Sequence, residues 1–326
     1  MTSVTVVIPA FNEGSFFASA LSTLSDYFAI HRGGGYDFHF LIVDDGSTDD
    51  THAVAATFGR WRPNVRVLRH ERNRGLGAAM RTAFAAVETE LAVVLDADLT
   101  YSPAVAMELV EALEASHADI AMASPYMPGG SVAGVPFVRR ILSREANRLL
   151  SLAVCGKYAT LTCMVRAYRA CALPELQFRS DDKSAVAELM LGAMRKKMSV
   201  IEAPATLRWT PERRCTRGGL DLPRLAAQIC STLALAFRHR PSLWLAVPGL
   251  FPGLLPIVVG LLLILRVNTR TLAIGTTATI VVQYTSLALF TGQITAFLGR
   301  RFHQKRRFET NGALNNNGYD PSSRPA

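Results

Sequence analysis

The chain has 326 residues, enough for two compact units, with 49% hydrophobic residues and a formal net charge of +9. The basic excess forms no long run interleaved with aromatics, which argues against a nucleic-acid partner. Many basic residues instead flank apolar segments, as at an anionic membrane surface, and the surplus hydrophobicity falls after residue 240. The five cysteines (Cys155, Cys163, Cys171, Cys215, Cys230) are odd in number and include no C-x-x-C pair. Reduced thiols are therefore expected rather than a disulfide framework or a zinc site. The opening MTSVTVVIPAFNEG lacks the basic start and apolar core of a signal peptide, so a cytoplasmic domain is expected.

In chain order, the runs Val4–Ile8, Phe38–Val43, Val65–Leu68, Leu91–Leu95 and Ile120–Ala123 are rich in branched or aromatic residues and read as strands. Helical patterns lie between them at about 14–28, 49–59, 76–88 and 103–116. Strand–helix alternation predicts an α/β domain with a mostly parallel sheet, whose ligands bind beyond the carboxyl ends of the strands. Three polar clusters stand there: Pro9-Ala10-Phe11-Asn12-Glu13, Asp44-Asp45-Gly46-Ser47 and Asp96-Ala97-Asp98. Each has a plain alternative. Asp44 through Asp49 could cap a helix, Asn12-Glu13-Gly14 could be a turn, and a lone Asp-x-Asp is common. Together on one rim they point to chemistry.

That chemistry suits a sugar nucleotide, whose diphosphate must leave with its charge neutralised. Asp96 and Asp98 offer hard carboxylate oxygens for Mg²⁺ or Mn²⁺. Asp45, one strand away, can hydrogen-bond the base or ribose. No G-x-x-x-x-G-K-[ST] run is present for an ATPase.

Further on, Leu222, Leu225, Ala226, Ile229, Leu233 and Phe237 recur at helical spacing and predict an amphipathic segment over 216–242, lying in a membrane interface or packed on the domain. The stretches 243–265 and 271–299 carry no charge and are long enough to span a bilayer, so a transmembrane hairpin is expected. Arg238 and Arg240 before it, with Arg300, Arg301, Lys305, Arg306 and Arg307 after it, would place the catalytic domain and tail on the cytoplasmic side. Residues 300–326 read as a basic, then disordered tail.

Four motifs, VVIPAFNEG (6–14), VDDGSTDDT (43–51), RNRGLGAAM (72–80) and LDADLTYSP (95–103), resemble family 2 glycosyltransferases of GT-A fold. Beyond residue 120, Arg139-Arg140-Ile141-Leu142-Ser143-Arg144 with Asn147 is similar to dolichol- and polyprenyl-phosphate sugar synthases. So is Leu161-Thr162 with Arg166, Tyr168 and Arg169, then Glu188 and Glu202-Ala203-Pro204. The resemblance covers about 1–215, taken as the catalytic domain. It implies an inverting hexosyltransferase that moves a sugar from a GDP- or UDP-sugar to polyprenyl phosphate at the cytoplasmic leaflet. Pro9, Phe11, Glu13, Val43 and Asp45 would hold the nucleoside, with Ala97 in the same substrate-binding set. Asp96 and Asp98 would hold metal and diphosphate. Arg139 and Ser143 would meet donor or lipid phosphate and complete the catalytic set, and Arg213 would close over the site.

Departures stand at Pro125, where the family often has Arg, at Thr160 in place of Asp, and at Thr100 in place of Gln. They bear on the acceptor more than on the donor. Arg140, Arg144, Arg166 and Arg169 could equally be surface or helix-face charges, Glu188 a mid-helix pairing partner, and Asp181-Asp182 a cap or a catalytic base. Transfer to another lipid or glycan, or an inactive membrane partner protein, are the competing functions. A processive synthase is disfavoured because only the Arg208-Trp209 end of Q-x-x-R-W is present.

Overall fold

A computed structural model describes residues 1–209 except Arg32, Gly33 and Cys155, and beyond them only eight isolated positions between 231 and 291. Apart from those positions, the expected amphipathic segment, transmembrane hairpin and tail, together with Arg213, lie outside the described residues. No helix among the described residues is long and apolar enough to cross a membrane. The chain divides into two compact units, Met1–Asn147 with Ala159–Leu235, and Arg148–Tyr158 with Ala236–Ala326. In the second, Ser151 Oγ donates to the Tyr158 carbonyl and closes a short turn.

The first unit is an α/β domain. Its strands are β1 (Thr2–Ala10), β2 (Tyr36–Asp44), β3 (Val65–Arg69), β4 (Leu91–Val94), β5 (Ile120–Ser124), β6 (Ser131–Ala133), β7 (Arg166–Arg169), β8 (Val200–Pro204) and β9 (Thr206–Arg208). Its helices are α1 (Phe17–His31), α2 (Thr51–Gly59), α3 (Leu76–Ala85), α4 (Pro103–Ser116), α5 (Phe137–Ala153, whose last turns belong to the second unit) and α6 (Ala185–Arg195). Seven strands form one sheet in the order β3-β2-β1-β4-β7-β5-β8, and β6 pairs with β9 in a two-stranded ribbon. All pairings are parallel except those of β7, which runs antiparallel to β4 and β5.

Alternation sorts the central strands. Val4, Val6 and Ile8 of β1 enter one apolar cluster with Phe17, Leu21, Leu24 and Phe28 of α1 and with Val105, Leu109 and Leu113 of α4. The α1 and α4 residues recur every three or four positions, so each helix presents one stripe to the sheet. Val7 of β1 and Met80 of α3 are also fully buried but lie outside that cluster, as expected for the opposite face of the pleat.

The five strands and four helices expected from the sequence form, each within a few residues of its expected bounds. The arginines of β7 differ from the surface reading. Arg166 is fully buried, donating Nη1 to Val186 O at 2.9 Å and Nη2 to Leu161 O at 2.8 Å. Arg169 donates Nε to Ala118 O and Nη2 to Leu113 O, at the end of α4. Both arginines tie β7 to neighbouring segments by charged hydrogen bonds, each stronger than a neutral one. Glu188 lies in the first turn of α6 rather than mid-helix. It accepts from the backbone N–H groups of Arg179 and Ser180 at 3.2 and 2.9 Å, and so holds the segment leading into its own helix.

That segment presses on α3. Gly77 N donates to Asp181 O at 2.7 Å, and a Cβ at Gly77 would stand 2.0 Å from Ser180 O. Gly77→Ala is expected to cost about 2 kcal/mol or more through this clash. Gly34→Ala, with nothing within 4 Å of the added carbon, should stay within about 0.5 kcal/mol of the parent. Melting temperatures of the two variants check the contrast.

Candidate active site

Strand register places the three polar clusters side by side. β1 pairs Pro9 with Val43 and Ala10 with Asp44, and one step further Asp45 N donates to Ala10 O at 2.9 Å. On the other side Leu95 N donates to Val7 O at 2.9 Å, so the chain leaves β4 beside the end of β1. Because β7 runs backwards, its start rather than its end reaches this rim. The segment 160–164 therefore lies on the same edge as Asp96-Ala97-Asp98.

A cleft of about 900 Å³ opens along that edge. Pro9, Phe11, Glu13, Asp45, Asp96, Ala97, Asp98, Arg139 and Ser143 all line it. Val43 does not: it is fully buried on β2, beside Pro9.

The β1 and β2 loops lock together. Asn12 takes a left-handed φ of 52°, which Asn tolerates better than most residues. Its N–H donates to Ser47 Oγ at 3.0 Å, and its Oδ1 accepts from Thr48 N at 2.9 Å. Glu13 N donates to Thr51 Oγ1 at 2.8 Å and Gly14 N to Asp49 Oδ2 at 2.9 Å. Burial works to raise the Asp49 pKa, but hydrogen bonds from Thr51 and Gly14 outweigh it and hold the carboxyl below its ordinary value. Asp49 and its neighbours therefore do more than cap α2. They fasten the loop that carries Phe11 and Glu13.

Asp45 is a hub. Its Oδ1 lies 2.6 Å from His70 Nδ1 and accepts from Arg74 N at 2.9 Å, while Oδ2 accepts from Gly75 N at 2.7 Å. His70 Nε2 lies 2.9 Å from Thr82 Oγ1. The network suits an Nδ1–H donating to the carboxylate, with Nε2 accepting from the threonine. Asp45 thus fixes the turn 73–75, and Asn73, Gly75 and Leu76 line the cleft in consequence. Sequence reasoning quoted this stretch but gave it no role; the signal was the glycine-rich RNRGLG itself.

Asp98 is nearly buried and its Oδ1 accepts from Thr100 N at 3.1 Å and Thr100 Oγ1 at 2.8 Å. The intervening Leu99 has a left-handed φ of 51°, a cost of about 1–3 kcal/mol that the surrounding contacts must offset. Thr100, which departs from the family pattern, therefore orients the Asp98 carboxylate. Among the described residues no group of three or more His, Cys, Asp or Glu forms a closed metal cage. Two carboxylates fit Mg²⁺ or Mn²⁺, which commonly takes one or two protein carboxylates and completes its shell with phosphate oxygens and water.

Near Asp96, Tyr101 and Cys163 also line the cleft. Burial, then the neighbouring Cys163 and Asp96, push the Tyr101 hydroxyl far above its ordinary pKa. Burial is also the main cause that pushes the Cys163 thiol up to about 11, against opposing effects of Tyr101 and Arg166. Cys163 is a neutral thiol at pH 7 and a poor nucleophile.

The far side of the cleft is built by α5. Asn147 Nδ2 donates to Thr162 Oγ1 at 2.9 Å, and its Oδ1 accepts from Leu161 N at 2.8 Å, pinning the helix to the segment before β7. Ser143 stands one turn back and Arg139 two turns back. The Arg139 guanidinium carbon lies 4.6 Å from the Trp209 ring centroid, a cation–π contact that aims the charge. Trp209 N in turn donates to Ala133 O at 3.0 Å and Arg208 N to Thr100 O at 2.8 Å, so the β6–β9 ribbon bridges to the Asp98 loop. Trp209 had no assigned role in the sequence reading beyond its Arg-Trp pair.

Thr160 and Pro125 occupy the same side. Thr160 Oγ1 pairs with Ser124 Oγ at 2.8 Å, and its N–H donates to Glu202 Oε1 at 2.8 Å. Glu202 therefore holds this loop. Asp182 accepts from Ser184 N and Oγ ahead of α6, and Asp181 pairs with Arg81. Of the two, Asp182 lines the cleft. Arg140 and Arg144 are exposed on α5.

Comparison with known proteins follows the same outline. A dolichol-phosphate mannosyltransferase of Pyrococcus furiosus is 33% identical over 143 residues, 44% of this chain and 39% of that protein. A polyprenol monophosphomannose synthase of Mycolicibacterium smegmatis is 33% identical over 175 residues, 52% of this chain and 66% of that protein. The chain thus matches less than two thirds of the length of either relative. Glucosyl-3-phosphoglycerate synthase of Mycobacterium tuberculosis, solved with Mn²⁺, UDP and phosphoglyceric acid, superposes with a TM-score of 0.55 at 20% identity, covering 73% of this chain and 78% of that one. The same enzyme with Mg²⁺ and UDP matches with a TM-score of 0.55 at 19% identity, covering 73% and 79%. These structures share the GT-A-like α/β fold. The model of glycosyl transferase family 2 matches residues 5–176, more than half of the chain, and the chain belongs to that family.

Proposed function

We propose that this protein transfers one sugar from a nucleoside-diphosphate sugar to a polyprenyl phosphate at a membrane surface, inverting the anomeric carbon. One observation carries the reading. A single cleft holds the carboxylates Asp96 and Asp98 at the end of β4, with the Asp45 hub to one side and Arg139 with Ser143 on the other. The two relatives named for mannose transfer to such lipids support the acceptor class.

On the donor side, Phe11 is an exposed aromatic at the cleft and offers a face for a base, while Asp45 and the 73–75 turn shape the pocket around the nucleoside. Asp96 and Asp98 would hold Mg²⁺ or Mn²⁺, which supplies charge neutralisation for the departing diphosphate. On the acceptor side, Arg139 and Ser143 hold the lipid phosphate by charge and hydrogen bonding. An oxygen of that phosphate forms the new bond to the anomeric carbon as the bond to the diphosphate oxygen breaks, and the diphosphate keeps the electron pair. The attacking phosphate is already ionised, so no side chain need remove a proton. Thr100 holds the Asp98 carboxylate by two hydrogen bonds, and the Trp209 ring holds Arg139 by a cation–π contact, so less reorganisation remains for the reacting state.

Purified protein with Mn²⁺, a panel of GDP- and UDP-sugars and a short polyprenyl phosphate should form a sugar-phosphate lipid. Donor hydrolysis without lipid product would overturn the acceptor assignment, and no donor use at all would overturn the enzyme assignment. Asp98→Ala should lower kcat/KM by about a thousandfold or more, reflecting several kcal/mol of lost transition-state stabilisation. In Asp45→Asn an amide NH₂ must face backbone N–H donors, so nucleoside diphosphate binding by calorimetry should weaken about tenfold or more. Arg139→Ala should reduce kcat/KM for the lipid about 10- to 100-fold while donor affinity holds, the loss of one charged hydrogen-bonding partner.

A further inference from the structure

We infer that Arg166 is an electrostatic positioning residue for the metal–diphosphate site. Its buried guanidinium, set behind Asp96, weakens capture of a divalent cation alone and favours the anionic nucleoside diphosphate. The inference rests on the roles proposed above for Asp96 and Asp98.

The sheet puts the two charges on one face. β4 and β7 pair Val94 with Arg166, so their side chains project to the same side. Val93, Leu95 and Ala97 enter the apolar cluster on the α1 and α4 side, as do Val165 and Ala167. Val94 and Arg166, both fully buried, belong to neither set and face the other way. Two residues beyond Val94 the alternation returns to that face at Asp96. In an antiparallel register Asp96 and Arg166 are then diagonal neighbours, a relation of about 7–8 Å. The thiol of Cys163 records both charges. Burial dominates its raised pKa, and beyond that Arg166 pulls it down while Asp96 pushes it up.

Arg166 is poorly explained as a tie alone. Among the described residues its guanidinium makes no ion pair. It donates to the carbonyls of Val186 and Leu161, and its Nε is buried without a hydrogen-bond partner. A buried cation served only by neutral acceptors is a net cost to the fold, and an apolar side chain of similar volume is often as stable. Its field, in contrast, reaches the cleft through protein rather than water and is weakly screened there.

The sign of that field separates the ligands. A metal ion arriving alone meets two carboxylates whose attraction Arg166 partly cancels. A diphosphate meets the same positive charge as an attraction, and that attraction grows as the leaving group gains charge. The metal therefore enters with the donor rather than ahead of it. Arg166 touches neither ligand, and its field acts on charge common to every nucleoside-diphosphate donor, so it selects no base and no sugar.

The test compares the full-length parent with Arg166→Gln and Arg166→Lys. Binding of Mn²⁺ alone is followed by the electron paramagnetic resonance of the free ion, and binding of UDP and GDP in chelator by calorimetry. Arg166→Gln should bind Mn²⁺ about threefold or more tighter and the nucleotide about threefold or more weaker, while Arg166→Lys stays near the parent in both. A side chain that merely braces Val186 and Leu161 predicts that both affinities fall together, with lysine no better than glutamine, and that result overturns the inference. Unchanged affinities overturn it as well. Should Arg166→Gln fail to fold, the metal-free melting temperatures of Asp96→Asn and Asp98→Asn decide. Asp96→Asn should melt lower, since it strips Arg166 of the carboxylate on its own face; equal or reversed values overturn the inference. A parent that binds neither Mn²⁺ nor nucleotide overturns the metal-site reading itself, which keeps the two failures distinct.

Discussion

The hydrogen bond from Asp45 N to Ala10 O, one step beyond the last β1–β2 ladder pair, is small in itself, yet the rest of the site is built outward from it. It lets the two strands part at the same height, so the Asn12–Gly14 loop can bond the Ser47–Thr51 segment four times over. It also aims the Asp45 carboxylate at the backbone of Arg74 and Gly75. A buried carboxylate is tolerable only with such partners, and three donors around one group satisfy it. The donor half of the cleft is therefore a product of sheet register as much as of its own side chains.

The two halves are joined through Thr100. Its hydroxyl and N–H serve Asp98, while its carbonyl accepts from Arg208 N on the ribbon that presents Trp209 to Arg139. The Asp98 carboxylate and the Arg139 guanidinium, proposed here to serve the diphosphate and the acceptor, are thus braced by one residue. Substitution of the family's glutamine at this position exchanges a longer side chain for a short one that turns back on its own loop.

Much of this was legible in the sequence. Branched and aromatic runs and 3.6-residue spacing identify β1 to β5 and α1 to α4 because their apolar residues recur where the elements bury a face, one cluster on the α1 and α4 side of the sheet and Val7 with Met80 outside it. The strand-end motifs located the rim for the same reason that parallel sheets bind ligands there. The illegible part was β7 to β9. Arg-Ala-Tyr-Arg reads as a surface stretch, because nothing local reveals that Arg166 will spend its guanidinium on the carbonyls of Val186 and Leu161. The three-residue strands β6 and β9 carry too few residues for any period to show. Likewise the role of Trp209 depends on a pairing between segments about 75 residues apart, set by Ser131 and Thr206.

The reversed direction of β7 carries a final consequence for how such a chain can diversify. Every group assigned to the nucleotide and metal comes from the first 98 residues, on strands that all run the same way. The groups opposite them come from α5, from the run into β7 and from Trp209, which the antiparallel strand brings back to the same rim. On the proposed assignment, donor and acceptor recognition are written in separate stretches of the polypeptide. Substitutions such as Pro125 and Thr160 can accumulate in the second stretch while the first keeps its own strand-end contacts, which on the proposed assignment would let one scaffold change its acceptor without changing its donor.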